Sequence, residues 1–277
     1  MKKIISISSW PLLLGLLLLM TASCNKNEDL VTADAKTGGL IVPVTSNVAY
    51  KLANTPQVEI TLDIPAGPAI NTIKVYNSFF SSADGVTSPE ALMKEVPVNG
   101  STVVFSVNYA DLKNGILING NPLPDDETLL SIGSSWNLIY HAVLADGREV
   151  VNCSRNTTTI GVANIYAGLY HVTGTFIHPT AGPRAIDEDK YLTAISAYQV
   201  TSTTGDLGPD YPTIITVNPV DNSCVVTSGE GNAYDIQMTI GTPSYYDPAT
   251  GKFYLYYFYL GTNGLPRIME EEYTPKE

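Results

Sequence analysis

Polar and apolar positions alternate along this chain in short runs, with little sign of a helical period. Val58, Ile60, Leu62 and Ile64 alternate with polar residues, which is typical of a β-strand with one buried face. Comparable runs recur about every 10 to 15 residues, separated by Gly, Pro, Asn and Asp. The pattern therefore predicts an all-β protein.

The segment 40–163 carries about seven such runs, a number that fits an immunoglobulin-like or fibronectin-like sandwich. A hairpin is predicted at Asp146-Gly147, because Asp-Gly between apolar runs favours a two-residue turn. One helical turn is predicted near residues 109–115. The predicted strands are 58–64, 73–80, 103–107, 136–142, 150–151 and 157–162.

A second unit is predicted over residues 164–277, with a boundary at Ala163-Asn164. It opens on a strand in which Tyr170, Val172, Gly174 and Phe176 share one face. Short turns join the later strands, so we expect an antiparallel meander, and the pattern leaves open a small barrel or a second sandwich. Those later strands are 192–200, 213–217, 224–227, 235–240, 252–260 and 268–273.

The N-terminus carries the features of an export signal: Lys2 and Lys3, an apolar run over 4–20, then small residues before Cys24. The run is shorter than the roughly 20 residues of a membrane-spanning helix. A Cys at this place resembles the bacterial lipoprotein signal, which implies removal of residues 1–23 and lipidation of Cys24. An ordinary secretory signal with an incidental Cys is the alternative. The polar segment 24–39 is expected to be a flexible tether.

Charge and cysteine usage narrow the classes of partner. The formal net charge is −12, and removing residues 1–23 takes away two lysines and no acid. This balance argues against nucleic acid and anionic lipid surfaces as partners, and it is compatible with a neutral ligand such as a glycan. Besides Cys24, only Cys153 and Cys224 remain, so no disulfide framework is expected. Two inert thiols are favoured, and a single bridge stays open.

The sequence gives little support for catalysis or metal binding. His141, His171 and His178 lack metal-site spacing, and we expect surface positions for them. The acidic runs 125–127 and 187–189 are interpreted as solvated turns rather than Ca²⁺ sites. There is no nucleophile elbow or phosphate loop, and the many acids give no distinctive glycosidase pair. We therefore expect a protein that is not an enzyme and has no cofactor and no metal.

Aromatic residues are the remaining chemical signal, because an exposed ring can cover the apolar face of a sugar. The chain has 17 tyrosines, and Trp136 is the only Trp outside the signal. Each of these aromatic groups has an alternative to sugar binding. Trp136 could pack in the core of the sandwich, and the aromatic side chains on both faces of the strand 252–260 could fill a barrel. The candidate ligand-binding residues are Trp136, Tyr245, Tyr246, Tyr254 and Tyr256.

Several segments resemble the C-terminal domain of Bacteroidetes outer-membrane lipoproteins of polysaccharide-utilisation loci: YAGLY at 166–170, GTF at 174–176, HPTAGPR at 178–184 and YDPAT at 246–250. DAKTGGL at 34–40 resembles the start of such mature proteins, including accessory lipoproteins of starch-utilisation-type systems. An acidic pair after Cys24 is similar to their surface-export signal. The resemblance implies anchoring in the outer membrane facing the cell exterior, with glycan contact, and it supplies no catalytic residue.

These observations lead to two functional hypotheses. The first is a surface-anchored, non-catalytic lipoprotein that assists glycan capture at a polysaccharide-uptake system. The second is a structural or adhesion lipoprotein that partners an outer-membrane transporter and has no glycan site. In both cases the lipid anchor supplies the contact with the membrane.

Overall fold

The computed structural model describes residues 38–151 and 156–276. These residues are nearly all β, as the alternation predicted, and one compact unit begins at Gly39. The predicted signal peptide, Cys24 and nearly all of the predicted tether lie outside the described residues. The described part of the chain contains no helical segment with the length and hydropathy of a membrane span.

The N-terminal part is a β-sandwich, as predicted. It includes the short helix α1 (Tyr109–Lys113), where a helical turn was expected, and a 3₁₀ turn at Glu127–Leu129. Its strands are β1 (Val42–Pro43), β2 (Asn47–Lys51), β3 (Val58–Asp63), β4 (Ile70–Ser81), β5 (Val86–Thr87), β6 (Ala91–Pro97), β7 (Thr102–Val107), β8 (Leu117–Ile118), β9 (Asn121–Pro122), β10 (Ser135–Leu144), β11 (Glu149–Val151) and β12 (Thr157–Ala163).

Two sheets enclose the sandwich core. The smaller sheet has the order β1-β3-β7, and the larger one runs β2-β12-β10-β4, with β5 and β6 on β4 and β11 on β10. Strand β10 alternates strictly between buried and half-buried residues, as its sequence predicted. Its inner face presents Trp136, Leu138 and Tyr140 to the core, which both sheets share. The predicted hairpin joins β10 to β11, with Gly147 at φ 84°.

The C-terminal part is an antiparallel meander, also as predicted. The long hairpin β13–β14 begins it, and β21 returns to pair with β13. Its strands are β13 (Gly168–His178), β14 (Gly182–Ser196), β15 (Gln199–Thr203), β16 (Pro212–Val217), β17 (Cys224–Ser228), β18 (Ile236–Met238), β19 (Tyr245–Asp247), β20 (Lys252–Leu260) and β21 (Pro266–Pro275).

This meander curves into a nearly closed barrel. The sheet order is β17-β16-β15-β14-β13-β21-β20-β18, and β19 also pairs with β20. Backbone bonds link its two ends: Cys224 N–H donates to Ser244 O at 2.8 Å, and Tyr246 N–H donates to Asn222 O at 2.9 Å. Near-closure leaves little exposed strand edge. The question that the sequence left open is therefore answered in favour of a barrel.

Two details of the barrel differ from expectation. The acidic run 187–189 is part of β14 rather than a turn, because Asp187 and Asp189 face outward while Lys190 faces the interior. The predicted strand 192–200 is two strands, β14 and β15, joined by a turn at Ala197-Tyr198. Ala197 lies in the sandwich core, so this turn is where the barrel packs against the sandwich.

Candidate functional site

The outer face of β20 carries a row of aromatic side chains. Phe253, Leu255, Tyr257 and Tyr259 point into the barrel and are buried. The opposite face carries Tyr254, Tyr256 and Phe258, which are half-buried. Because strand side chains alternate between faces, filling the barrel with one row leaves the other row on the surface.

Tyr245 on β19 completes this row. Tyr245 is 41% exposed and lies opposite Tyr254, with the two rings stacked 4.8 Å apart at 22°. Partial burial, followed by the proximity of Tyr245 and Glu270, raises the pKa of the Tyr256 hydroxyl. We call Tyr245, Tyr254 and Tyr256 the tyrosine platform. It is a contiguous aromatic surface on the outer face of the barrel.

Carboxylates border the tyrosine platform. In the register of β20 with β21, Tyr254 lies opposite Glu272 and Tyr256 opposite Glu270. Lys252 Nζ binds Glu272 at 2.6 Å. Sequence reasoning missed both glutamates, although the alternation of β21 contained the signal: Met269, Glu271 and Tyr273 form its inner face, so Glu270 and Glu272 face outward.

Two predicted site residues lie elsewhere. Trp136 is 0% exposed and packs against Phe79 and Tyr50, with ring centroids 4.9 and 5.7 Å away. Tyr246 is 7% exposed and meets Tyr166 edge to face at 4.9 Å. The prediction that both residues belong to an exposed sugar-binding surface was wrong, because both side chains are buried. Each lies on the inner face of its strand, and core packing is the alternative that the sequence left open for Trp136.

The cysteines divide between described and undescribed parts of the chain. Cys24 and Cys153 lie outside the described residues. Cys224 is a buried free thiol in β17, and burial, followed by the nearby Asp221, raises the pKa of its thiol to about 12. A thiol with such a pKa stays protonated at neutral pH and is a poor nucleophile.

The barrel interior holds a buried polar cluster that sequence reasoning did not identify. Lys190 Nζ contacts Glu271 Oε1 at 2.7 Å, with side-chain exposures of 4% and 0%. Lys190 also donates to Gly205 O at 2.7 Å, and the Tyr257 hydroxyl donates to Glu271 Oε2 at 2.6 Å. Burial opposes the charge of Lys190, but Tyr273 and Glu271 outweigh it and raise its pKa. Glu188 Oε1 also lies 3.5 Å from Lys190 Nζ but makes no hydrogen bond, so the cluster is not completely paired.

The histidines and acidic runs serve local structure. His171 lies on the outer face between Asp189 at 3.0 Å and Asp187 at 3.4 Å, and His141 pairs with Glu149 at 2.7 Å. Glu127 accepts bonds from the Tyr50 hydroxyl and from Ala53 N–H rather than being solvated. Within the described ranges, no group of three or more His, Cys, Asp or Glu side chains could hold a metal ion.

The chain is similar to a family model and to a solved structure. A family model described as "-like, C-terminal" matches residues 158–274, which span the last strand of the sandwich and the barrel. No curated protein matches the chain. A crystal structure from a structural-genomics study of Bacteroides ovatus, of a protein of unknown function, is similar with 9% identity and a TM-score of 0.35. The alignment covers 83% of this chain and 88% of that one.

Proposed function

We propose that this protein is a surface-anchored, non-catalytic lipoprotein that captures glycan at a polysaccharide-uptake system. The observation that carries the proposal is the tyrosine platform on the outer face of the barrel. Tyr245 and Tyr254 already stack on one another, so their rings are held in a common orientation before any ligand arrives. A surface ordered in advance loses little conformational entropy on binding.

The chemistry around the tyrosine platform suits a neutral sugar. A ring face covers the apolar C–H surface of a pyranose, while the phenol hydroxyl at the ring edge stays hydrated and can exchange hydrogen bonds. Glu270 and Glu272 add acceptors for sugar hydroxyl groups beside the rings. The overall charge of −12 disfavours polyanionic glycans, so neutral polysaccharides are the expected ligands.

The anchoring part of the proposal rests on the sequence around Cys24 and on the resemblance to outer-membrane lipoproteins. A lipid on Cys24 would keep the fold at the membrane surface without a membrane-spanning helix. Release of long chains from a weak surface site would then occur beside a transporter rather than in bulk solvent. The same anchor would serve a non-binding partner of a transporter, so the ligand decides between the two hypotheses.

The decisive experiment compares polysaccharide binding by the wild type, Tyr245→Ala, Tyr254→Ala and a matched control, Tyr191→Ala. Tyr191 is 69% exposed on the outer face of β14 and stacks on no other described ring. A glycan array first identifies a ligand, and affinity electrophoresis then measures binding. Both platform variants should weaken binding by about 5- to 30-fold, since each removes a ring contact of roughly 1–2 kcal/mol, while the control retains wild-type affinity.

Other outcomes would count against the proposal. Absence of binding to any plant, host or microbial polysaccharide would remove the glycan function. Binding that is equally weakened by Tyr191→Ala would show that the tyrosine platform is not the site. A protein that binds no glycan but co-purifies with an outer-membrane transporter would support the structural hypothesis instead.

A further inference from the structure

A cleft of about 320 Å³ lies where the barrel meets the sandwich. The turn after β2 contributes Asn54 from the sandwich, and the linker before β13 contributes Tyr166. The turns of the barrel supply Tyr198, Asn222 and Pro248. Small-ligand sites commonly occupy such junctions and have volumes of about 300–1,000 Å³. The cleft is separate from the tyrosine platform, whose three residues are not part of its lining.

Three tyrosine hydroxyl groups in this cleft lack a protein partner. Across residues 38–151 and 156–276, no hydrogen bond involves the hydroxyl of Tyr166, Tyr198 or Tyr246. All three oxygens are accessible to solvent, because none of them belongs to the fully buried atoms that lack a hydrogen-bond partner in the described residues. The rings of Tyr166 and Tyr246 are buried and held edge to face. The three tyrosines that line the cleft therefore keep hydroxyl groups that no protein group binds.

The lining carries no charge. None of its described residues is Asp, Glu, Lys, Arg or His, although the chain as a whole is strongly acidic. The amides of Asn54 and Asn222 add a donor and an acceptor each. Burial, followed by the proximity of Tyr246 and Cys224, raises the pKa of Tyr166 to about 12, so this hydroxyl also stays neutral. A charged ligand would find no counter-charge here, whereas a neutral hydroxyl-rich ligand would find matched partners.

The walls of the cleft are fixed by backbone contacts. Asn222 has a left-handed φ of 60°, and its carbonyl accepts from Tyr246 N–H at 2.9 Å. Ala53, beside Asn54, has a φ of 59°, and its N–H donates to Glu127 Oε1 at 2.8 Å. Asn164 fixes the linker through bonds to Ser196 O and Gln199 O. The arrangement is ordered in advance, which favours binding.

We infer that this cleft is a second binding site, for a neutral hydroxyl-rich ligand about the size of a mono- or disaccharide. The ring faces contact the apolar side of the ligand, and the open tyrosine hydroxyl groups and asparagine amides bind its hydroxyl groups. Because the lining comes from both the sandwich and the barrel, an occupied cleft also stabilises their junction. The inference does not depend on glycan binding at the tyrosine platform.

Calorimetric titration of the full mature chain in detergent tests the site, with neutral mono- and disaccharides (glucose, galactose, mannose, xylose, maltose and cellobiose) as probes. We expect at least one probe to bind and to raise the unfolding midpoint. Tyr166→Phe and Tyr246→Phe keep ring packing and remove one hydroxyl each, so each should weaken binding by about 3- to 10-fold. Tyr191→Phe, on the outer face of β14 and outside both proposed sites, is the matched control and should leave this binding unchanged.

Pro248→Trp provides a variant that is independent of the tyrosines. Pro248 is an exposed lining residue, so a large ring there should block the cleft without disturbing either core. Loss of saccharide binding in this variant, with an unchanged unfolding midpoint in the absence of ligand, supports the site.

The inference is overturned if no probe binds at a concentration of about 10 mM, which is high enough to detect a weak site. It is also overturned if glucuronate binds as tightly as the neutral saccharide that binds best. The same holds if the Tyr246→Phe and Pro248→Trp variants bind that saccharide like the wild type. Failure at the tyrosine platform would be detected separately, because Tyr245→Ala and Tyr254→Ala would then bind long polysaccharides like the wild type.

Discussion

The Lys190 ammonium group lies inside the barrel and is surrounded by oxygen atoms. Glu271 and Gly205 O each lie 2.7 Å from it, and Thr203 O lies at 3.2 Å. A buried ion pair of this kind adds little net stability over apolar packing, but removing one partner leaves a buried charge without compensation. The pair therefore acts as a constraint on register: β14 and β21 can bury these residues only when the two side chains meet.

At this scale we predict that Lys190→Met and Glu271→Gln each destabilise the fold by about 3–5 kcal/mol. The double variant K190M/E271M should recover part of this loss, because neither charge of the Lys190–Glu271 pair is then left without its partner. Urea unfolding followed by circular dichroism measures each value. Lys252→Met, at the exposed Lys252–Glu272 pair on the outer face, is the control and should leave the midpoint nearly unchanged. Equal effects at the two pairs would contradict the prediction.

At the scale of elements, strands β13 and β21 approach unusually closely at Gly174. An ideal Cβ at this position would lie 2.0 Å from Glu270 O and 3.0 Å from Glu271 Cα, both of them backbone atoms of β21. Backbone atoms cannot move aside as a flexible side chain can. The glycine is therefore required by the approach of the partner strand, next to the residues that carry the buried pair and the platform carboxylates.

We predict that Gly174→Ala destabilises the protein by about 1–3 kcal/mol or more, because the added methyl group overpacks the β13–β21 contact. Gly161→Ala on β12 is the matched control: its Cβ would lie 4.0 Å from Val48 O, an ordinary contact. That variant should be neutral or slightly stabilising, since alanine restricts the unfolded chain. Thermal unfolding of both variants is the measurement, and a neutral Gly174→Ala would show that the strands can separate without loss.

Strand β20 shows how much of the architecture the sequence could predict. Its alternation predicted that one face packs in the core, because burial in a strand has a period of two, and the structure shows that this face carries Phe253, Leu255, Tyr257 and Tyr259. Long-range pairing could not be predicted in the same way. The contact between Lys190 and Glu271 joins residues far apart in the chain, and the stacking of Tyr245 on Tyr254 depends on the register of β19 with β20. Tyr246 was proposed as a ligand-binding residue together with Tyr245, because β19, whose successive side chains face opposite sides, was not predicted.

At the scale of the whole molecule, tyrosines fill both cores and determine the alkaline limit of stability. Burial raises the pKa of Tyr140 and Tyr166, among others, to about 12, against an ordinary value of 10.0. Above pH 10 the unfolded chain loses these protons while the folded chain keeps them, so the free energy of unfolding falls as the pH rises. The contribution is fully present below pH 10 and is lost as the pH passes through about 12.

We therefore predict cooperative unfolding between pH 10 and 12, and little dependence on these tyrosines at neutral pH. The absorbance of tyrosinate near 295 nm should rise cooperatively as the buried tyrosines lose their protons. This rise should coincide with the loss of circular dichroism. A single smooth titration near pH 10 that precedes unfolding would contradict the predicted burial.

Cys24 determines where the whole molecule works, if the lipoprotein signal is processed as its sequence predicts. Each buried lipid CH₂ contributes about 0.8 kcal/mol, and several acyl chains on one residue suffice for stable anchoring.

We predict that Cys24→Ser moves the protein from the membrane fraction to the soluble fraction in a Gram-negative host that processes lipoproteins. Cys153→Ser is the matched control and should stay with the membrane, because it removes a thiol without touching the signal. Detergent-phase partitioning and the intact mass of the mature N-terminus measure the outcome, and protease treatment of whole cells tests exposure of the barrel. If Cys24→Ser remained membrane-bound, another part of the chain would have to provide the attachment, and the placement of the tyrosine platform beside a transporter would lose its physical basis.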